Sequence, residues 1–201
     1  MQSTTSSLRR AFLISTLSFA GACAAAQTAP AGPPSSGAAP TPAPGAIASH
    51  PEWPKANPDD VKSPQAIIAA VSDAISGEAG TPRDWQRVRS LFVPVAGRMV
   101  VTRVPKTGPS DVTVLSLDDY EKRAGGRTFY ERPIAYDVQS FGRTTHVYES
   151  YGIRHKATDA EPYVRGVNSF ELLFDGTRYY ILQIFWDTER PDNPLPAKLS
   201  K

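Results

Sequence analysis

Glu149 is the residue best placed to do chemistry. It lies in the run His146-Val147-Tyr148-Glu149-Ser150-Tyr151, and the preceding segment turns back at about Gly142-Arg143. Pairing Phe141 with Thr144 puts Val138 opposite Val147, Ile134 opposite Tyr151 and Tyr136 opposite Glu149. Gln139 then meets His146, and Asp137 meets Tyr148, on the other face. A carboxylate in apolar company titrates high. Glu149 is therefore the candidate general acid or base, with Tyr136 beside it as hydrogen-bond donor. The plain alternative is a structural ion pair with Arg132 or Arg154, since such pairs also place acids in sheets.

A second candidate group sits in NSFELLFDGTRYYILQIFW, two strands joined at Asp175-Gly176. Asp-Gly favours a two-residue turn, because both residues tolerate positive φ. One face then holds Phe170, Leu172, Phe174, Tyr179, Ile181 and Phe185, with Asn168 opposite Gln183. A four-residue loop leaves these faces unchanged, because the shift in pairing is even. Asn168 and Gln183 are expected inside. A buried amide without partners costs about 1–3 kcal/mol, so they either clamp each other and nearby backbone or bind a ligand's polar group. Asn168, Gln183, Phe170, Tyr179 and Phe185 are the candidate ligand-binding set. The other face carries Val167, Leu173, Tyr180, Leu182, Ile184 and Trp186, too much apolar area to leave in water. A second copy, sheet to sheet, is the expected cover, which makes a homodimer.

Other chemistry finds little support. Of the three histidines, His50 lies in a Pro-rich stretch, and His146 and His155 have opposite parity on a strand. No metal-ligand spacing, Gly-rich phosphate loop or G-x-S-x-G elbow is present, so no metal or cofactor is expected. Cys23 is the sole cysteine, which rules out an intramolecular disulfide.

The elements that must position these residues follow from the pattern. Met1 to Ala22 reads as a secretory signal: Arg9 and Arg10, then an apolar run from Ala11 to Phe19 too short to span a bilayer, then small residues. Ala20-Gly21-Ala22-Cys23 is similar to a lipobox with Ala where Leu is usual, so lipidation of Cys23 and ordinary cleavage after Ala26 both stand. A periplasmic, secreted or lipid-anchored location is expected, with membrane contact only through that lipid. The whole chain has 22 Lys+Arg against 20 Asp+Glu. Losing Arg9 and Arg10 with the signal leaves no net charge, hence no overall bias toward nucleic acid. Residues 23–60 are rich in Ala, Pro and Gly and are expected to form a disordered linker. Residues 61–201 form one domain by length.

Within that domain, Ser63-Pro64 opens a helix with the stripe Ile67, Ile68, Val71 and Ile75, closed by Gly77. Thr81-Pro82-Arg83-Asp84 opens a second helix with a capping-box pattern, and Pro94 stops it. Strands are expected over 98–104 and 112–115, a short helix from Ser116-Leu117-Asp118-Asp119 to about Ala124, then long strands over 128–141, 144–154, 164–174 and 177–188. Helices followed by an antiparallel meander predict an α+β domain with helices on one face of a curved sheet.

These residues resemble the nuclear transport factor 2-like (SnoaL-like) superfamily, in an uncharacterised bacterial branch. The resemblance runs from Gln65 to Lys198. It rests on Asp84-Trp85, Leu91-Phe92-Val93-Pro94, Phe129-Tyr130-Glu131-Arg132, the Glu149 run, Arg165-Gly166-Val167-Asn168-Ser169, Asp175-Gly176, Tyr179-Tyr180-Ile181 and Trp186-Asp187-Thr188-Glu189-Arg190-Pro191. It implies a cone, a cystatin-like α+β barrel of curved mixed sheet around the N-terminal helices, with a pocket at the open end. It also implies dimers through the outer sheet face. Enzymes of the superfamily use a Tyr and Asp, or an Asp and His, inside the cone; no such pair here falls on a matching motif. The function expected is binding of a small amphipathic molecule or protein partner in that pocket. The alternative is proton transfer by Glu149, in an isomerase, dehydratase or cyclase.

Overall fold

The computed structural model describes residues 41–105, 108–124 and 126–201. The expected signal segment, Cys23 and the expected linker up to Pro40 lie outside the described residues. Three helices, α1 (Pro64–Ile75), α2 (Trp85–Leu91) and α3 (Leu117–Ala124), pack against six strands. The strands are β1 (Arg98–Arg103), β2 (Asp111–Leu115), β3 (Tyr130–Phe141), β4 (Thr144–Arg154), β5 (Val164–Phe174) and β6 (Tyr179–Thr188). They form one curved sheet in the order β2-β1-β6-β5-β4-β3, parallel between β1 and β6 and antiparallel elsewhere. The expected α+β class and mixed sheet are present. The sheet does not close into a barrel, because β2 and β3 remain edges.

Local chemistry explains the helix starts. The Ser63 hydroxyl accepts from the Ala66 amide at 3.1 Å, and Pro64 takes the first position, where no amide hydrogen is needed. The second helix differs from the capping box expected at Thr81. Asp84 is its N-cap, accepting from the Arg87 amide at 2.9 Å. α3 begins as expected, with Ser116 accepting from the Asp119 amide at 3.1 Å.

Residues 47–61 make only two short 3₁₀ turns. Trp53 nevertheless ties this stretch to the domain: its indole donates to the carbonyls of Arg89 at 2.9 Å and Phe92 at 3.2 Å. Replacing Trp53 with Phe should lower stability by about 1 kcal/mol, one net hydrogen bond with the packing largely kept. Urea unfolding would measure it, and an unchanged midpoint would mean that this segment is not held by the indole.

Two β-bulges decide which side chains face the helices. In β3, Pro133 pairs with Tyr151 but Ala135 pairs with Ser150, so Ile134 is the extra residue. The expected pairing of Ile134 with Tyr151 fails there. Beyond the bulge every side chain of β3 changes face. In β6, Leu172 pairs with Ile181 but Glu171 pairs with Gln183, so Leu182 is extra. The hairpin itself closes with four residues, Phe174 pairing with Tyr179. The Asp175 carboxylate accepts from the Thr177 and Arg178 amides at 2.7 and 2.9 Å and sets that wider turn.

The C-terminal segment runs back over the outer sheet face. Lys198 pairs with Asp137, and Leu199 is buried. Part of the face expected to be covered by a second copy is covered by this chain.

Candidate functional site

One transverse row of the sheet carries the polar floor of the domain: Val101 beside Trp186, Trp186 beside Asn168, Asn168 beside Glu149, Glu149 beside Tyr136. The predicted pair of Tyr136 and Glu149 is therefore in place. Glu149 is wholly buried and Asn168 is 3% exposed. The Asn168 amide donates to Glu149 Oε2 at 2.8 Å and reaches Glu131 Oε1 at 3.5 Å. Glu131 also takes a long 3.4 Å bond from the buried Ser72 hydroxyl of α1. One amide thus bridges two carboxyl groups.

Burial in an apolar setting disfavours the charged form of both acids, and each disfavours ionisation of the other. Glu149 is pushed well above the ordinary range by burial and then by the neighbouring Glu131, against the bond from Asn168. Glu131 is pushed up to about 7 by burial, opposed by the bonds from Ser72 and Asn168. Glu149 Oε1 has no hydrogen-bond partner. That fits a neutral carboxylic acid better than a buried anion. The Tyr136 phenol rises to about 12 through burial and the nearby Glu149.

Beside this floor lies a cavity of about 290 Å³. It is bounded by the end of α1, by α3 and by the inner sheet face. Ile75, Met99, Val101, Phe170, Ile184 and Trp186 make its apolar wall; Glu131, Asn168, Tyr120 and Tyr151 bring polar atoms; Arg83, Arg123 and Arg127 stand at the edge. Of the residues singled out from sequence, Asn168 and Phe170 line it. Glu149 and Tyr136 sit behind Asn168 and do not. Tyr179 packs against Phe174 with ring centroids 4.9 Å apart, at the hairpin end.

Gln183 and Phe185 are a correction. Both are exposed on the outer face, Gln183 opposite Glu171 and Phe185 opposite Ser169. The Leu182 bulge turned them out and brought in Ile184 and Trp186, which the regular register had placed outside. The bulge at Ile134 did the reverse for Glu131. With regular pairing Arg132 would face inward; with the bulge Glu131 pairs with Ile153 and joins Glu149 and Tyr151 on the inner face. Pro133, next to the bulged Ile134, is the one local signal, because proline within a strand is confined to edges and bulges; nothing comparable marks Leu182.

Gly166 does not line the cavity but makes room for Tyr151, which does. A Cβ there would overlap the Tyr151 hydroxyl and the Asp187 carbonyl. Gly166→Ala should destabilise by about 1–3 kcal/mol through overpacking and displace the Tyr151 ring. An unchanged melting temperature would show that the ring has room to move.

Among solved structures, the chain is similar to nuclear transport factor 2-like proteins. One, of unknown function, from Shewanella baltica, is 10% identical with a TM-score of 0.42, over 61% of this chain and 86% of that one. Another of unknown function, from Silicibacter pomeroyi, is 10% identical with a TM-score of 0.39, over 61% and 89%. A third, from Methylobacillus flagellatus, is 12% identical with a TM-score of 0.38, over 64% and 95%. No family model and no curated protein matches the chain. The chemistry of the cavity rests on its own residues.

Proposed function

We propose that this is a secreted or lipid-anchored domain that binds one small amphipathic molecule in the cavity between α3, the end of α1 and the sheet. The observation that carries the binding reading is an apolar wall closed at its inner end by a carboxyl and an amide. Small-molecule sites combine a mostly apolar lining with a few fixed polar groups, in about 300–1,000 Å³. The cavity, at about 290 Å³, suits a small ligand. Proton transfer by Glu149 and Tyr136 is disfavoured, because neither reaches the cavity.

Anilinonaphthalene sulfonate should bind the native protein with enhanced fluorescence. Val101→Trp, which fills the cavity from β1, should abolish that signal while the protein still melts cooperatively. Undiminished dye binding in the filled variant would refute the reading. Secretion and anchoring are tested by intact mass from the native host: a diacylglycerol on Cys23, or an N-terminus at Gln27. An N-terminus at Met1 would refute both. The expected homodimer also remains our proposal, supported by Tyr148, Leu182 and Phe185, which stay exposed on the outer face. A strict monomer at micromolar concentration in light scattering would remove it.

A further inference from the structure

The cavity has a titratable acid at one end and cationic side chains at the other, neither with a partner of opposite charge among the described residues. At its floor, the Glu131 carboxyl meets only neutral partners, the Ser72 hydroxyl and the Asn168 amide. No salt bridge to Glu131 occurs among the described residues, and no cation enters the causes of its upward shift. At its edge, Arg83, Arg123 and Arg127 have no acidic partner within ion-pair distance among the described residues. Arg83 is held in place by backbone alone: its guanidinium donates to the carbonyls of Ile75, Gly77 at 3.2 Å and Arg127 at 2.7 Å. Glu78, on the same side, accepts from the Thr128 and Tyr130 hydroxyls at 3.1 and 2.9 Å.

Tyr120 lies between the two ends. Its phenol is pushed up by burial and then by Glu131, and pulled down by Arg83, Arg127 and Arg123. The same ring thus lies within electrostatic reach of floor and edge. Arg123 and Arg127 are exposed, whereas the partners of Glu131 are buried, so the cationic groups mark the outer end and the carboxyl the inner end of one apolar space.

Resting on the binding reading above, we propose that the ligand is bipolar: an apolar body with a hydrogen-bond donor at one end, for Glu131 and Asn168, and an anionic group at the other, for Arg83, Arg123 and Arg127. A hydroxyl on the inner end donates to the carboxyl oxygen, which is otherwise under-supplied with donors. A carboxylate on the outer end gains charge-assisted bonds from guanidinium groups that are already positioned. A purely apolar molecule would leave both ends unmatched.

Isothermal titration calorimetry of the full chain with ω-hydroxydecanoate, decanoate and decanol tests this. ω-Hydroxydecanoate should bind about tenfold tighter than either of the other two, the size of one good polar contact. Arg123→Gln with Arg127→Gln should remove most of its advantage over decanol and leave decanol unchanged. Both residues are exposed and stand outside the core, so the fold survives. Glu131→Leu should erase the advantage of ω-hydroxydecanoate over decanoate and leave decanoate binding. Equal affinity for all three probes, unmoved by the variants, would overturn the bipolar ligand and leave the pocket standing. Decanoate matching ω-hydroxydecanoate in the native protein would also overturn it, since the floor would then play no part. Binding of none would overturn both the pocket and this inference.

Discussion

Asn168→Asp should destabilise the domain far more at neutral pH than in acid. The substitution replaces the only amide between Glu149 and Glu131 with a third carboxyl, at positions 2.8 and 3.5 Å from theirs. Neither existing acid has a basic partner there. A buried charge without compensation costs about 3–5 kcal/mol, a large share of the stability of a small domain. In acid all three groups are neutral and can share hydrogen bonds, so the loss should shrink to about 1–2 kcal/mol. Urea unfolding at about pH 5 and about pH 8, on either side of the Glu131 titration, measures the difference. Asn168→Ala is the control: it loses the donor without adding an acid, so its deficit should depend much less on pH. Equal destabilisation by Asn168→Asp at both pH values would show that the three groups are not in one electrostatic cluster.

Glu149→Gln should have the opposite sign. Both acids have folded-state values raised above their ordinary ones, to about 7 for Glu131 and in the same direction for Glu149. A raised acid binds its proton more tightly in the folded state than in the unfolded state. Below the ordinary carboxylate range both states are protonated and nothing is lost. As pH rises from about 4.5 the unfolded chain ionises first, and stability falls until the folded group ionises too. Native stability should therefore decline from about pH 4.5 through 7 and beyond. Glutamine keeps the size of the neutral acid and still accepts from Asn168, but cannot ionise. The variant should be within about 1 kcal/mol of the native protein near pH 5, where the replaced acid is neutral, and more stable than it near pH 8, because it has no proton to lose on unfolding. Thermal melts across that range would show a flatter profile. A variant less stable than the native protein at pH 8 would mean that Glu149 is charged and compensated.

The acid pair also explains why the binding reading and the pH behaviour are one matter. Glu149 lies behind Asn168, out of reach of the cavity; burial raises Glu131, which lines it, and a charged Glu131 in turn helps keep Glu149 protonated. The inner end of the cavity is thus a carboxyl that stays largely protonated below neutrality and gains charge above it. A donor on the ligand stabilises the charged form, so binding of such a ligand should release a proton near pH 7, the value to which Glu131 is raised.

What could be read from the sequence was what is written in short-range chemistry. Ser63-Pro64 and Ser116 announce their helices because a cap needs a side chain within three residues of its amide. The apolar alternation from residue 130 onward defines strands, since a strand with one buried face must alternate. The pairing of Tyr136 with Glu149 followed from one tight turn at Gly142-Arg143 and the regular ladder that runs back from Phe141 and Thr144. Asn168 and Phe170 were legible as interior for the same reason: they lie on β5, which has no bulge opposite β4.

Only the tertiary structure decided the rest. A single extra residue in β3 and another in β6 shift the ladder by one, and a shift of one exchanges the two faces. That exchange brought in Glu131 and Trp186 and sent out Gln183 and Phe185. A bulge arises where sheet curvature, helix packing and the neighbouring strand's register disagree with regular pairing; none of these is local to Leu182, and at Ile134 only the adjacent Pro133 gives a local hint. The parallel pairing of β1 with β6, which adds Met99 and Val101 to the wall, joins residues far apart in the chain. The arginines at the edge come from two separate stretches, Arg83 before α2 and Arg123 and Arg127 around the end of α3. Sequence alone settled the α+β class, the strands and an acid facing inward on β4; the fold settled which acid meets a ligand, because that choice depends on register across the whole sheet.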